Sequence, residues 1–257
     1  MHIKQLFDLS GKTAIVTGGG RGLGKQIAEG FAESGANVVV CSRKEEACRE
    51  VSESLAELGV ETMALKCDIT NPEDIEYVVR QTTERFGVID ILVNNSGATW
   101  GAKAEEMPLS AWQKVMDVNV TGTFLMSQAV GKVMLKQGGG KIINIASVAG
   151  LKGSNPEYMD TIGYNSSKGA VLTFTKDLAV KWGPRGIYVN AIAPGFFPTK
   201  MSKVLIEKGE DAFLKSTPLR KFGSENDLKG AAVFLASSAS DYMTGDVMVI
   251  DGGSHAM

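Results

Sequence analysis

Short apolar runs rich in β-branched residues recur along this chain of 257 residues, and each is followed by a stretch in which apolar side chains return every three or four positions. Seven runs read as strands: 13–17 (TAIVT), 37–41 (NVVVC), 61–67, 90–93 (DILV), 141–146 (KIINIA), 187–193 and 246–250 (DVMVI). Several are almost continuously apolar, which is the pattern of a parallel strand covered on both faces. Between them Ala47, Val51, Leu55 and Leu58 fall at helical spacing, and Ile75, Val79 and Phe86 do so more loosely. Leu228, Ala231, Ala232 and Leu235 form a further stripe. Strands alternating with helices imply right-handed crossovers, and so an α/β fold with a doubly wound, seven-stranded parallel sheet.

The regularity breaks once, between Phe196 and Phe222, where Pro198, Pro218 and a mixed helical pattern interrupt the alternation. No linker, internal repeat or low-complexity tract divides the chain, so residues 1–257 read as one domain. The irregular segment reads either as a surface helix pair or as a lid. Its start beside Pro194–Gly195, at the carboxyl end of a strand, favours a lid over a substrate, spanning about 196–222.

Composition then removes several classes of function. Lys plus Arg number 27 against 29 Asp plus Glu, so no basic excess points to nucleic acid or to an anionic membrane. The first residues, MHIKQLFDLSGK, lack an apolar core of signal-peptide length, and no run approaches a membrane span. Cys41, Cys48 and Cys67 are scattered and odd in number, which suggests reduced thiols in a cytoplasmic protein. The two histidines, His2 and His255, stand at opposite ends, so neither a histidine-centred mechanism nor a histidine metal site is expected, and no metal is assigned.

The chemistry that remains begins at TGGGRGLG, positions 17–24, between the first strand and a helix. Gly18, Gly22 and Gly24 let the backbone turn tightly and approach a pyrophosphate, and the helix beyond offers unpaired N–H groups and a positive dipole end. At the end of the second strand, where a dinucleotide fold carries an acid for an unmodified ribose, this chain has Ser42 and Arg43, with no carboxylate until Glu45. A guanidinium pairs with phosphate in bidentate fashion, and Arg21 lies within the glycine turn. These residues favour NADP(H), with NAD(H) as the alternative.

Tyr164 and Lys168 stand four apart in GYNSSKGAVLTFTKDLAV, a spacing that puts both on one helix face. An ammonium beside a phenol is expected to lower its pKa toward neutrality and fit it for acid–base work. Either motif alone is weak. Their order is more specific: the glycine turn, NNSG at 94–97, Ser147, Tyr164, Lys168 and PGFFPT at 194–199. Over nearly its whole length the chain resembles the short-chain dehydrogenase/reductase family. The resemblance implies a Rossmann-like fold and a homotetramer, with the helices around 111–136 and 164–182 at interfaces. It implies that Ser147 positions the substrate oxygen, that Tyr164 exchanges the proton, and that Lys168 tunes Tyr164 and bonds the nicotinamide ribose. Asn119 corresponds to an asparagine holding a water that connects Lys168 to solvent. Leu23, Asp68, Ile69, Asn95, Gly97, Pro194, Gly195 and Thr199 correspond to cofactor contacts, and Asn94 to a residue that steadies the central sheet.

One departure concerns the substrate. Ser147 and Tyr164 are 17 apart, where the family usually has 13, and the extra residues fall in VAGLKGSNPEYMDTIG. Tyr158, Met159, Ile162, Trp100, Phe196 and Phe197 are candidates to shape the pocket. The expected substrate is a small-molecule ketone or secondary alcohol, with two groups in view: 3-oxoacyl thioesters carried by acyl carrier protein or coenzyme A, and gluconate or polyols. For a carrier-protein partner, Lys181 and Arg185 are the candidate entrance cations. A dinucleotide-binding sensor without turnover is the remaining alternative, and the intact Ser147, Tyr164 and Lys168 speak against it.

Overall fold

The computed structural model describes residues 2–200 and 202–257. Seven parallel strands form one sheet: β1 (Thr13–Thr17), β2 (Asn37–Ser42), β3 (Thr62–Lys66), β4 (Ile91–Asn94), β5 (Gly140–Ile145), β6 (Ile187–Pro194) and β7 (Val247–Ile250). Their spatial order is β3-β2-β1-β4-β5-β6-β7. All seven expected strands are present, with ends shifted by one residue at most places. The order reverses between β1 and β4, so the carboxyl ends of those strands open the crevice in which a doubly wound sheet binds its ligand.

Helices cover both faces. After a short α1 (Ile3–Leu6) come α2 (Gly22–Glu33), α3 (Glu45–Ala56), α4 (Pro72–Phe86), α5 (Leu109–Met116), α6 (Gly122–Gln137), α7 (Ile162–Trp182), α8 (Lys203–Lys215) and α9 (Lys229–Ala236). Strand alternation splits the core: Ala14 and Val16 of β1 pack with Ile27, Phe31, Leu55 and Leu228 on one face. Ile15 between them packs with Ile75, Met126, Val130 and Leu178 on the other. The α3 stripe is Cys48, Val51, Ser52 and Leu55, and Leu58, expected to continue it, lies exposed beyond the helix end.

Local signals set the helix ends. Asn71 caps α4 by accepting the Glu73 N–H at 2.9 Å, Pro72 occupies the first turn, and Gly87 at φ 78° ends the helix. Between α5 and α6 the chain makes a π-helical turn, Asp117–Thr121, that puts Asn119 on the inside. Wider turns of this kind are common at functional sites because they redirect side chains without breaking the helix. Asn94 and Asn144 face each other across β4 and β5, the Asn94 amide donating to Asn144 and Ser127 and the Asn144 amide to Thr175, all at 2.9 Å. Asn94 thus ties the central strands to α6 and, through Asn144, to α7.

Candidate active site

Ser147 ends the segment after β5 and caps a short 3₁₀ turn, Val148–Gly150, its Oγ accepting the Ala149 N–H at 3.1 Å. The first turn of α7 brings Tyr164 to it, and the two hydroxyls share a hydrogen bond. One turn further along α7, Lys168 is buried, its Nζ 5.6 Å from the Tyr164 ring centroid and donating to the Ile145 carbonyl at 2.7 Å. The α7 helix therefore brings Tyr164 and Lys168, as their i, i+4 spacing predicts, to Ser147 at the carboxyl end of β5.

Burial dominates the electrostatics. Burial pushes the Tyr164 phenol above its ordinary value, and the Ser147 hydrogen bond opposes that only in part. The Lys168 ammonium lies over the ring and uses one of its N–H groups on the Ile145 carbonyl. Burial brings Lys168 down to about 8. Tyr164 is thus a neutral acid at pH 7, suited to proton donation, beside a lysine that is still mostly charged.

Asn119 makes a local set of side-chain bonds. Its Nδ2 donates to the Ala98 carbonyl at 2.9 Å and to Ser167 Oγ at 2.8 Å, while its Oδ1 accepts the Ala98 N–H at 2.7 Å. These three bonds use both amide protons and fasten the loop after β4 to α7.

These groups open into a cleft of about 1260 Å³ that runs to the glycine turn. It is larger than most small-ligand pockets, and room for a dinucleotide with a second molecule would need such a volume. Gly18, at φ 64°, and Gly22, at φ 54°, adopt the left-handed region that the turn requires. A Cβ on Gly24 would lie 2.3 Å from Asn95 Nδ2 and 2.5 Å from the Gly18 carbonyl, so the loop is closed against itself there. The Asn95 amide holds that closure by donating to the Thr17 and Gly18 carbonyls at 2.9 and 3.2 Å. Arg21 caps α2 with no side-chain bond, which leaves the helix's first N–H groups facing the cleft. A Cβ on Gly97 would project to 3.5 Å from Asn119 Oδ1 and 3.9 Å from Lys168 Nζ. Thr199 stands across from Gly22, and Gly195 packs on Asp251, beside Pro194 at the end of β6. Gly18, Arg21, Gly22 and Leu23 therefore fit a pyrophosphate, and Gly97, Pro194, Gly195 and Thr199 fit a nicotinamide end.

At the opposite end of the cleft Asp68 accepts from the Thr70 N–H and hydroxyl at 3.0 and 2.8 Å. Burial would raise its pKa, but those bonds and the Arg43 charge outweigh it, and the carboxylate is held below its usual range. Ile69 is buried below α6. Arg43 and Arg21 both line the cleft, and Lys44, which the sequence did not single out, joins them. Glu45 is turned away and pairs with Arg49 at 2.8 Å. Ser42 is less free than expected, since its hydroxyl donates to the Lys44 carbonyl at 3.0 Å.

On the substrate side Tyr158, Met159, Phe196 and Phe197 line the cleft, whereas Trp100 and Ile162 lie outside its lining and are exposed. Phe213 of α8 packs between Phe196, tilted at 3.9 Å, and Tyr158, edge-on at 5.7 Å. Lys152, Ser154, Asn155 and Ser254 also contribute and were not foreseen. Ser254 is 90 residues from Tyr164, so no local signal could mark it. Lys181 and Arg185 are not in the cleft lining; Lys181 lies 17 residues beyond Tyr164 along α7, about 25 Å away. Among the described residues no cluster of His, Cys, Asp or Glu is arranged to hold a metal ion, and no helix is long and apolar enough to cross a membrane.

A family model described as enoyl-(acyl carrier protein) reductase matches residues 18–255. The chain is 39% identical over 254 residues to a 2-dehydro-3-deoxy-D-gluconate 5-dehydrogenase of Bacillus subtilis, with 98% of each covered. It is 39% identical over 248 residues to a 3-oxoacyl-[acyl-carrier-protein] reductase of Vibrio cholerae, covering 96% of this chain and 99% of the relative. Among solved structures, a gluconate 5-dehydrogenase from Burkholderia cenocepacia in complex with NADP and tartrate superposes with a TM-score of 0.94 at 35% identity, covering 100% of both chains.

Proposed function

The chain belongs to the short-chain dehydrogenase/reductase family, whose members act on CH–OH groups, and from that premise we propose that it is an NADP(H)-preferring oxidoreductase interconverting a ketone and a secondary alcohol. The observation that carries this reading is the convergence of Ser147, Tyr164 and Lys168 on the cleft that the glycine turn also lines. A bound nicotinamide supplies or accepts the hydride. Ser147 donates a hydrogen bond to the substrate oxygen and aligns it. In reduction Tyr164 gives its proton to that oxygen as the carbon gains the hydride; in oxidation Tyr164 takes the proton back. Lys168 offers positive charge beneath the phenol and a donor for the nicotinamide ribose, and Asn119 keeps the loop bearing Gly97 in place. Residues 196–222 act as the lid.

Arg43, Arg21 and Lys44 support the NADP(H) preference, because a 2′-phosphate would meet cations there while Glu45 is engaged by Arg49. In the exchange Arg43→Asp the ratio of NADPH to NADH efficiency is expected to fall by about tenfold or more. An unchanged ratio would remove Arg43 from cofactor choice.

Two substrate classes each have a specific support. The cluster of Tyr158, Phe213 and Phe196 supports a 3-oxoacyl thioester of acyl carrier protein or coenzyme A, since an acyl chain would pack on it. The polar groups of the insertion, Lys152, Ser154 and Asn155, support a gluconate-type hydroxy acid. Oxidation of NADPH with acetoacetyl-CoA, a longer 3-oxoacyl thioester and 5-ketogluconate separates the two, and no turnover of any ketone would refute the reaction itself. Exposed Leu109, Phe124 and Val180 on α5, α6 and α7 support a homotetramer, and three free thiols support a cytoplasmic setting.

A further inference from the structure

The loop between Ser147 and Tyr164 contributes one charged side chain to the cleft lining, Lys152; its carboxylates, Glu157 and Asp160, lie outside that lining. Lys152 Nζ donates to the backbone carbonyl of Ser254. That carbonyl belongs to a braced turn: Ser254 Oγ donates to Asp251 Oδ2 at 2.8 Å, and the Gly253 N–H donates to Asp251 Oδ1 at 2.9 Å. An ammonium has three donors, so one bond restrains the headgroup and two N–H groups remain for a ligand.

Each neighbouring hydroxyl already accepts one bond. Ser154 Oγ accepts from Asn165 Nδ2 at 2.8 Å, and Tyr158 Oη accepts from Asn155 Nδ2 at 3.0 Å. Each keeps its own proton to donate. Lys152, Ser154 and Tyr158, all lining the cleft, thus offer donors from a loop that adds no carboxylate to the lining. Such a set suits an anion with several acceptor lone pairs, and among common substrate groups a carboxylate fits it.

We infer that Lys152 is a specificity-determining residue that pairs with a carboxylate borne by the substrate beyond its reacting carbon, with Ser154 and Tyr158 as accompanying donors. The substrate class is then an oxo acid and its hydroxy acid. The inference rests on the ketone–alcohol reading above for its reacting end, and it selects the hydroxy-acid class over the acyl thioesters. It assigns a purpose to the insertion, which brings the cation to the substrate side and ties it to the C-terminal turn.

The test compares the full-length parent protein with Lys152→Gln and Lys152→Arg. Glutamine keeps a donor for Ser254 without the charge, whereas arginine keeps the charge. Efficiencies for 5-ketogluconate and for the neutral ketose D-fructose give an acid-over-neutral ratio, and calorimetry gives the affinity of NADP-loaded protein for tartrate. The ratio and the tartrate affinity are each expected to fall by about tenfold or more in Lys152→Gln, mainly through KM, and to be largely retained in Lys152→Arg. Equal tartrate affinity in parent and Lys152→Gln would overturn the inference, as would an equal loss for acid and neutral substrates. No turnover of any ketone, with a Lys152-dependent tartrate affinity, would instead overturn the reaction and leave the anion site standing.

Discussion

Within a few ångströms of Tyr164, two effects of opposite sign compete and burial wins. The i, i+4 spacing of Tyr164 and Lys168 predicts their proximity correctly, yet proximity does not fix where the ammonium points. With Lys168 Nζ donating to Ile145, the phenol remains protonated at neutral pH. Reduction, which draws a proton from Tyr164, is accordingly expected to run well at pH 7, and oxidation, which needs the phenolate, to accelerate as pH rises. Tyr164→Phe should lose turnover by about two to four orders of magnitude while NADPH still binds, checked by assay and by fluorescence titration. Substantial retained turnover would contradict the proton role.

Lys168 also leaves a signature in stability. Its folded pKa of about 8 lies below the unfolded value of about 10.4, so between those limits the unfolded chain binds the proton more tightly. Stability from this group therefore rises with pH across that window, and the burden of a buried ammonium is complete below pH 8. That burden is at most about 3 kcal/mol, and Lys168→Met should melt higher than the parent at pH 7, with the advantage shrinking toward pH 10. A gap independent of pH would contradict the assignment to burial.

Among the elements, the glycine turn was the most legible, because the left-handed backbone at Gly18 and Gly22 leaves a mark in residue type. Gly24 is different: its backbone is helical, and only the fold shows that a methyl group there would meet Asn95 and the Gly18 carbonyl. Alanine would gain about 1 kcal/mol in helix propensity but overlap backbone, a cost of about 1–3 kcal/mol, so Gly24→Ala should lower the melting temperature. Cofactor affinity should fall with it, read by NADPH fluorescence; an unaltered melt and affinity would show that the turn can relax. The insertion before α7 was legible as a length and opaque as a shape. Its Tyr158 leans on Phe213 of α8, and its Lys152 on Ser254, contacts made across 55 and 102 positions of sequence.

In the whole molecule, the sheet is covered on both faces and its central strands are fully buried, while the edge strands β3 and β7 are mostly half-buried; apolar runs still placed all seven with boundaries close to those observed. The same burial leaves Leu109, Phe124 and Val180 outside, the last 77% exposed, more apolar surface than helices α5 to α7 need if they face water. Light scattering is expected to give the mass of a homotetramer, and Val180→Asp to reduce the assembly; a monomeric parent would refute that use of the surface.

Sequence alone determined the alternation of strand and helix, the one-domain sheet, the glycine turn and the order of Ser147, Tyr164 and Lys168, because periodicity, left-handed glycines and i, i+4 neighbours are local properties. Only the tertiary structure decided that Tyr164 is held neutral, that the Asn119 side chain ties the loop after β4 to α7, that Lys181 and Arg185 lie outside the cleft lining, and that Lys152 meets Ser254 at the substrate wall. Those outcomes depend on burial and on which distant segments converge, and both are set by packing across the sheet rather than by spacing along the chain.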